Sequence, residues 1–417
     1  MPSRRRLLAA SATALAGSVG GAGVLAVGSG NPIPASPASA TQASGSAERD
    51  LEWPMRRVDA AGTGYSPAAS GPKDGVQRRW KRDPDASIRG TAAPILVGDA
   101  LYVVGRRSLV ALERETGHTR FVRDGPFFSA PAYVETSAYR TDALAVSGSA
   151  GIYGLDAAGG YDLPGRAVGL ERWHAPGDPP SGYLSAEPRE PSPVVADGTV
   201  YATLPETDRI AAFDANSGGL EWEYAIDGPS RSSANRPAVR DGTVFASNAG
   251  LTVSAVAADT GEERWAVEPD LVGPLSPTAT NDGVVVPASN AVVALDADDG
   301  ETLWTYDHGG NTTEGSAAVA DGLAFVTDGD DELHAIDLET GEAEWTVEYG
   351  FATNPVVADG VVYVSYFWAG ELVAFDLETG ERRWTYDEPV AISQPAIGDG
   401  VIYVGVEDGV VALEEGS

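Results

Sequence analysis

Short apolar runs separated by polar turns fill most of the chain, and residues 354–386 show the pattern plainly. Asn354 to Ala358 is an apolar run, Asp359-Gly360 a two-residue turn, and Val361 to Ser365 a second run. Glu371 to Phe375 is a third run, Asp376 to Gly380 another turn, and Arg382 to Tyr386 a fourth run. Runs this short, bounded by turn residues, predict strands. Asp-Gly is the pair that closes hairpins, because both positions tolerate positive φ. It recurs at Asp197-Gly198, Asp241-Gly242, Asp282-Gly283, Asp321-Gly322 and Asp399-Gly400. The predicted unit is therefore four antiparallel strands.

The unit repeats. Ala335-Ile336-Asp337-Leu338-Glu339-Thr340-Gly341 leads to Trp345, and Ala374-Phe375-Asp376-Leu377-Glu378-Thr379-Gly380 leads to Trp384. Weaker copies lead to Phe121, Trp173, Trp222, Trp265 and Trp304. With Trp80 the aromatic column has eight members, mostly about 40 residues apart. Four strands in each of eight such units predict an all-β, eight-bladed β-propeller. Within the motif, Asp should accept amides two or three residues on. Gly should take the left-handed conformation. Trp should pack between neighbouring units and reach a partner through its indole N–H. These residues are read as structural.

The last unit ends at Ser417 with three strands and no outer one. Val76 to Arg82 should supply the missing fourth, so that the N-terminal strand completes the last blade and removes an exposed edge. Two intervals are long and carry insertions, Tyr161 to Arg172 and His174 to Pro191.

The motif resembles the pyrroloquinoline-quinone-like (PQQ-like) propeller repeats shared by quinoprotein dehydrogenases and the outer-membrane assembly lipoprotein BamB. The resemblance covers about residues 50–417. Trp53-Pro54-Met55 and Gly62-Thr63-Gly64-Tyr65-Ser66-Pro67 look like the lead-in of such propellers. In the family's enzymes the resemblance implies a quinone over the ring axis, an adjacent Cys pair, a Trp floor, a Ca²⁺ held by Glu and Asn, and an Asp base. This chain has no cysteine, and no such ligand set transfers residue by residue. Fold does not imply function. The expected function is a non-enzymatic binding or assembly scaffold with no cofactor. The alternative is a PQQ-dependent dehydrogenase, with Ca²⁺, acting on an alcohol or sugar.

Charge narrows the partners. There are 61 acidic and 28 basic residues, a net charge of −33, which opposes nucleic-acid phosphates and anionic membranes. Lys73 and Lys81 are the only lysines. Such acidity with so little lysine suggests adaptation to high salt, where dense carboxylates keep a protein hydrated and mutually repulsive. The expected partner is a protein or cell-envelope component, and the chain is read as a monomer.

The N-terminus carries an address. Ser3-Arg4-Arg5-Arg6-Leu7-Leu8 precedes a Gly/Ala-rich apolar stretch, and Ala38-Ser39-Ala40 offers a cleavage site. Residues 1–40 resemble a twin-arginine (Tat) signal, 41–50 a linker, and 51–417 the propeller. The protein is expected beyond the cytoplasmic membrane, at the cell surface or outside it, with retention through residues 7–27 as the alternative.

Candidate sites lie where the repeat breaks its pattern. Loops entering the innermost strands carry mostly small residues, with Asn235, Arg236, Glu314, Asn354 and Gln394 as larger polar members, a candidate binding ring at the channel mouth. Tyr366-Phe367-Trp368 is a candidate partner-contact loop, and Asn311-Thr312-Thr313 a glycosylation acceptor. His118, His308 and His334 share no metal-ligand spacing. No metal site and no catalytic constellation is expected.

Overall fold

The strands form where the apolar runs predict them, because each run is short enough to cross one blade and ends at a residue that turns the chain. The computed structural model describes residues 53–84, 88, 93–105, 107–164, 166–176, 192–204, 207–227, 235–248, 250–311, 315–351, 353–366 and 369–416. The expected leader and linker lie outside the described residues, as do Glu314, Phe367 and Trp368. Among the described residues no helix is long and apolar enough to cross a membrane.

Eight four-stranded antiparallel blades follow in chain order, an all-β propeller as expected. Their innermost strands are Ile95–Val97, Ala132–Val134, Val194–Ala196, Ala238–Arg240, Thr278–Ala279, Ala318–Ala320, Val356–Ala358 and Ala396–Gly398. These strands and the two that follow in each blade are buried almost throughout, and outer strands such as Ala343–Glu348 alternate towards solvent. The seventh blade matches its sequence pattern except that the innermost strand begins at Val356, two residues late. Pro355 has no N–H to give a ladder.

Five of the six Asp-Gly pairs make the expected turn, with Asp197, Asp241, Asp321, Asp359 and Asp399 at φ 46–50°. Asp282-Gly283 does not. There Thr280 holds the corner, accepting from the Gly283 amide at 3.1 Å and donating its own amide to the Gly283 carbonyl at 2.8 Å.

The repeat motif works as an interblade clasp. Asp337 Oδ1 accepts the amides of Glu339 (3.0 Å) and Thr340 (2.8 Å), which fixes the turn between third and outer strands. The preceding blade's Trp304 donates its indole N–H to the Leu338 carbonyl of that turn at 2.8 Å. Trp222 reaches Ala258 (2.9 Å) and Trp345 reaches Leu377 (3.0 Å) in the same way. Gly341, at φ 72°, lies flat on Trp304, where an added Cβ would stand 2.6 Å from the indole Cγ. The motif is thus one joint, with Asp and Gly on one blade and Trp on the previous one. Phe121 takes the Trp place opposite Ala111 and packs under Gly159.

Ring closure uses the expected strand. Val76–Arg82 pairs antiparallel with Gly409–Glu415, Val76 opposite Glu415 and Arg82 opposite Val410. The eighth blade therefore has no covalent turn between its third and outer strands for Trp384 to clasp. The Pro72 carbonyl, just before the closing strand, takes that indole N–H at 3.1 Å.

Gly341→Ala should lower stability by about 1–3 kcal/mol, from left-handed backbone plus the indole contact. Denaturant midpoints at constant salt test this, and an unchanged midpoint would contradict the clasp. Acid should weaken the same turns. The hydrogen bond from Arg383 holds the Asp376 carboxyl at about 2 against an ordinary 3.8. A depressed folded pKa gives stabilisation that is complete above the ordinary value and is lost as pH falls from there towards about 2. Asp376→Asn should flatten the decline of stability over that window, read from unfolding midpoints against pH.

Candidate functional site

The innermost strand of each blade turns an edge to the axis, and one stretch of chain accepts a backbone amide from six of the eight. Leu96 N–H donates to Trp53 O (2.9 Å), Tyr133 to Pro54 O (2.8 Å) and Val239 to Ala60 O (2.8 Å). Ala279 donates to Ala61 O (2.9 Å), Val319 to Thr63 O (2.8 Å) and Val357 to Gly64 O (2.7 Å). Six of the eight inner strands are tied to residues 53–64 in this way. Met55 packs in the apolar cluster that holds Val194 of the third blade. Tyr65–Ser66 then adds a short parallel strand to the seventh blade. Ser70 O accepts the Gly400 amide of the eighth at 2.9 Å. The segment circles the channel wall and leaves it to become the closing strand.

Two buried arginines anchor this collar. Arg57, 1% exposed, donates from Nη1 to Pro355 O (2.6 Å), from Nε and Nη2 to Gly62 O (3.2 and 3.1 Å), and from Nη2 to Ala317 O. It joins carbonyls of three chain segments far apart in sequence. Arg236 donates to Asp59 O (2.8 Å) and Pro237 O (3.2 Å). Burial, then the charges of Arg236 and Arg56, lowers the Arg57 guanidinium to about 9. Burial brings Arg236 to about 10. Both remain cationic at neutral pH. The Asp59 carboxylate is turned back onto Thr63, accepting its amide (2.9 Å) and its hydroxyl (2.5 Å).

Of the polar residues expected at the channel mouth, Asn235, Arg236 and Gln394 bond to neighbouring segments of the scaffold. Asn235 Nδ2 donates to Ser247 Oγ and Pro274 O, both at 2.9 Å. Gln394 donates to Asn354 O (3.3 Å) and accepts from Arg56 Nε (3.3 Å). Arg236 is spent on the collar. In the proposed contact loop, Tyr366 stacks on Phe351 at 3.5 Å between ring centroids. Asn311 is exposed, and its amide donates to Asp328 O at 3.1 Å. The first insertion forms a ribbon, Tyr161–Leu163 with Arg166–Val168. Tyr161 is 71% and Leu163 47% exposed there. His174 stacks on Tyr153 and contacts Ala150 O at 2.9 Å.

Sequence reasoning missed two things. The lead-in residues Trp53-Pro54-Met55 and Gly62 to Pro67 stand out in the sequence, but their place on the channel wall does not, because the contacts there are made by backbone carbonyls. His308 and His334 looked unrelated, yet their rings lie 6.0 Å apart, beside Asp328 and Glu332. The available signal was that Asp328, Glu332 and His334 fall within one repeat.

Blades clasped by Asp, Gly and Trp around a ring define a β-propeller of the PQQ-like repeat type. A family model described as outer membrane protein assembly factor BamB matches residues 151–291 and 288–416, and the chain belongs to this PQQ-like β-propeller family. BamB from Moraxella catarrhalis superposes with a TM-score of 0.59 at 16% identity, over 81% of this chain and 99% of that one. Quinohemoprotein alcohol dehydrogenase from Comamonas testosteroni gives 0.65 at 15% identity, over 87% and 80%. A serine/threonine-protein kinase, AfsK from Streptomyces griseus, is 36% identical over 130 residues, which make up 28% of this chain and 16% of the kinase.

The collar side chains do not offer a calcium site for a quinone. Calcium takes oxygen ligands from carboxylates and amides, whereas the collar presents two buried guanidinium groups and one carboxylate already engaged by Thr63. Arg57→Ala should cost about 3 kcal/mol or more, since it strands buried carbonyls of three segments. Equilibrium unfolding measures it, and a loss under about 1 kcal/mol would show that the arginine does not hold the collar.

Proposed function

We propose that this chain is an exported, non-enzymatic binding or assembly scaffold adapted to high salt. One observation carries the reading. The channel wall, where a propeller enzyme would hold a cofactor, is hydrogen-bonded to the chain's own residues 53–64, so the axis serves as a rigid hub. Likeness to BamB, whose family description names an assembly factor, supports a protein partner or cell-envelope component. A net charge of −33 with lysine only at 73 and 81 supports life in concentrated salt and argues against nucleic acid. The Tat-like leader supports export beyond the cytoplasmic membrane. A monomer suffices, because the ring closes within one chain.

With the hub closed, binding falls to the rim. The ribbon carrying Tyr161 and Leu163 is the described element that departs furthest from the repeat, and insertions in repeat proteins often serve one binding face. Paired Tyr161→Ser and Leu163→Ser should leave the denaturant midpoint within about 0.5 kcal/mol of the parent. The same pair should abolish the partner that co-purifies at high salt; retention of that partner would move the contact elsewhere.

The enzymatic alternative has a direct test. Purified folded chain is mixed with PQQ and Ca²⁺, then assayed for a bound-quinone spectrum and for alcohol- or sugar-dependent dye reduction. The expected outcome is neither binding nor turnover. Stoichiometric quinone binding with turnover would overturn the scaffold reading.

A further inference from the structure

We propose that Asp328, Glu332 and His334 form a binding site for a first-row divalent metal ion of the Zn²⁺ type, off the ring axis between the fifth and sixth blades. His334 lies on the third strand of the sixth blade, Glu332–Asp337, and is 2% exposed. Its Nε2 is buried and makes no hydrogen bond. That nitrogen stands 3.7 Å from Asp328 Oδ2 and 4.0 Å from Glu332 Oε2. Both gaps are too long for hydrogen bonds. Two metal–ligand bonds of about 2.0–2.1 Å each reach across them. The three donor atoms all lie within 4.8 Å of one another.

Each donor is prepared for the task. Asp328 Oδ1 accepts the amides of Asp330 (2.9 Å), Asp331 (3.1 Å) and Glu332 (3.0 Å), which folds the loop around the carboxylate and aims Oδ2 at the imidazole. Burial alone would raise this carboxyl, but those amides outweigh it and hold it below its ordinary value, hence ionised. Burial lowers His334 against the opposing pull of Asp328 and Glu332, so the imidazole is neutral near pH 7. Its Nδ1 lies 3.1 Å from Tyr306 Oη and 3.4 Å from Thr346 Oγ1. Either hydroxyl can accept a hydrogen bond from Nδ1–H, which leaves the Nε2 lone pair free, the outer partner that metal-ligating histidines usually have. His308 is not a fourth ligand as it stands. The Gly310 amide donates to its Nδ1 at 3.1 Å, so its proton sits on Nε2. Glu332 is exposed, which gives an ion an entry path and room for water.

The imidazole departs from the repeat. The positions equivalent to His334, each one residue before the Ala that faces the column aromatic, include Val110, Val293, Val373 and Val411, and in no other blade is the residue a histidine. The place of Asp328 is Gly105, Ala288 and Val406 in three other blades; in the fourth blade it is Asn248, whose Oδ1 also accepts a loop amide, from Gly250 at 3.0 Å, but there the histidine place is Ser254. A buried imidazole facing a buried carboxylate costs desolvation that valine would avoid, and an ion would offset that cost. One nitrogen with two carboxylate oxygens favours Zn²⁺ or its neighbours over Ca²⁺ and Mg²⁺, which take oxygen.

The test uses the purified full chain, freed of metal by chelation, in high-salt buffer. Co²⁺ is added as a spectroscopic stand-in and Zn²⁺ competes it off. The expected result is one Co²⁺ per chain with the intense visible absorption of a low-symmetry, nitrogen-containing site, and a rise in unfolding temperature with Zn²⁺. Ca²⁺ and Mg²⁺ should not displace Co²⁺. Glu332→Gln and Asp328→Asn should each weaken binding about tenfold or more, and Tyr306→Phe by a comparable factor through the lost outer partner. His334→Gln should abolish it; should that variant fail to fold, the exposed Glu332→Gln and the loop-preserving Asp328→Asn decide the matter. Equal affinity in the parent and these variants, or the weak spectrum of fully hydrated Co²⁺, would mean ions held only by scattered surface carboxylates and would overturn the site.

Discussion

A propeller must do something with the backbone amides along its innermost strands, and here that requirement organises the molecule. Eight short strands present unpaired edges towards one axis. An edge left open invites pairing with another chain, and a buried amide without a partner costs about 1–3 kcal/mol. Residues 53–64 satisfy six of these edges with their own carbonyls. To pass from strand to strand the collar must turn sharply, and Arg57 and Val58 both take positive φ (68° and 69°). Arg57 then secures the turn by bonding carbonyls of the collar itself and of two later segments. The same stretch of chain goes on to complete the eighth blade, so one end of the chain secures the ring at its axis and at its rim.

The blades are joined by a second device that does not depend on the collar. Each clasp couples the turn of one blade to the aromatic of the previous one, and wherever that aromatic is tryptophan a blade cannot shift without breaking the hydrogen bond at the indole. The exception shows how general the constraint is. Where no covalent turn exists in the eighth blade, Pro72 supplies the carbonyl that Trp384 needs. A chain with no cysteine is thereby closed by hydrogen bonds, packing and ion pairs such as Arg79–Glu414.

These demands leave the function to the periphery. Asn235, Arg236 and Gln394, which pointed to a ligand at the channel mouth, bond instead to neighbouring segments of the scaffold. The residues with unmet chemistry are elsewhere: the exposed ribbon of the second blade, and the sixth-blade loop where a buried imidazole nitrogen faces two carboxylates. The repeat tolerates such departures because each blade needs only its strands and its clasp. The sixth-blade loop joins second and third strands and carries no part of the joint, and the second-blade ribbon is inserted just after the clasp glycine Gly159.

The sequence by itself determined the fold, the number of blades, the closing strand and the structural roles of Asp, Gly and Trp. It could do so because those features rest on local turn chemistry and on side chains repeated eight times over. The Asp282-Gly283 turn escaped it, since Thr280 captured that corner by a hydrogen bond that pattern alone does not show. The tertiary structure alone decided what the axis contains. The collar meets the inner strands through backbone carbonyls, which every residue possesses, so its path around the axis leaves no mark in a sequence even where its lead-in residues do. It alone also brought His308 within 6.0 Å of His334, because adjacency across a blade interface is set by the curvature of the ring and not by spacing along the chain.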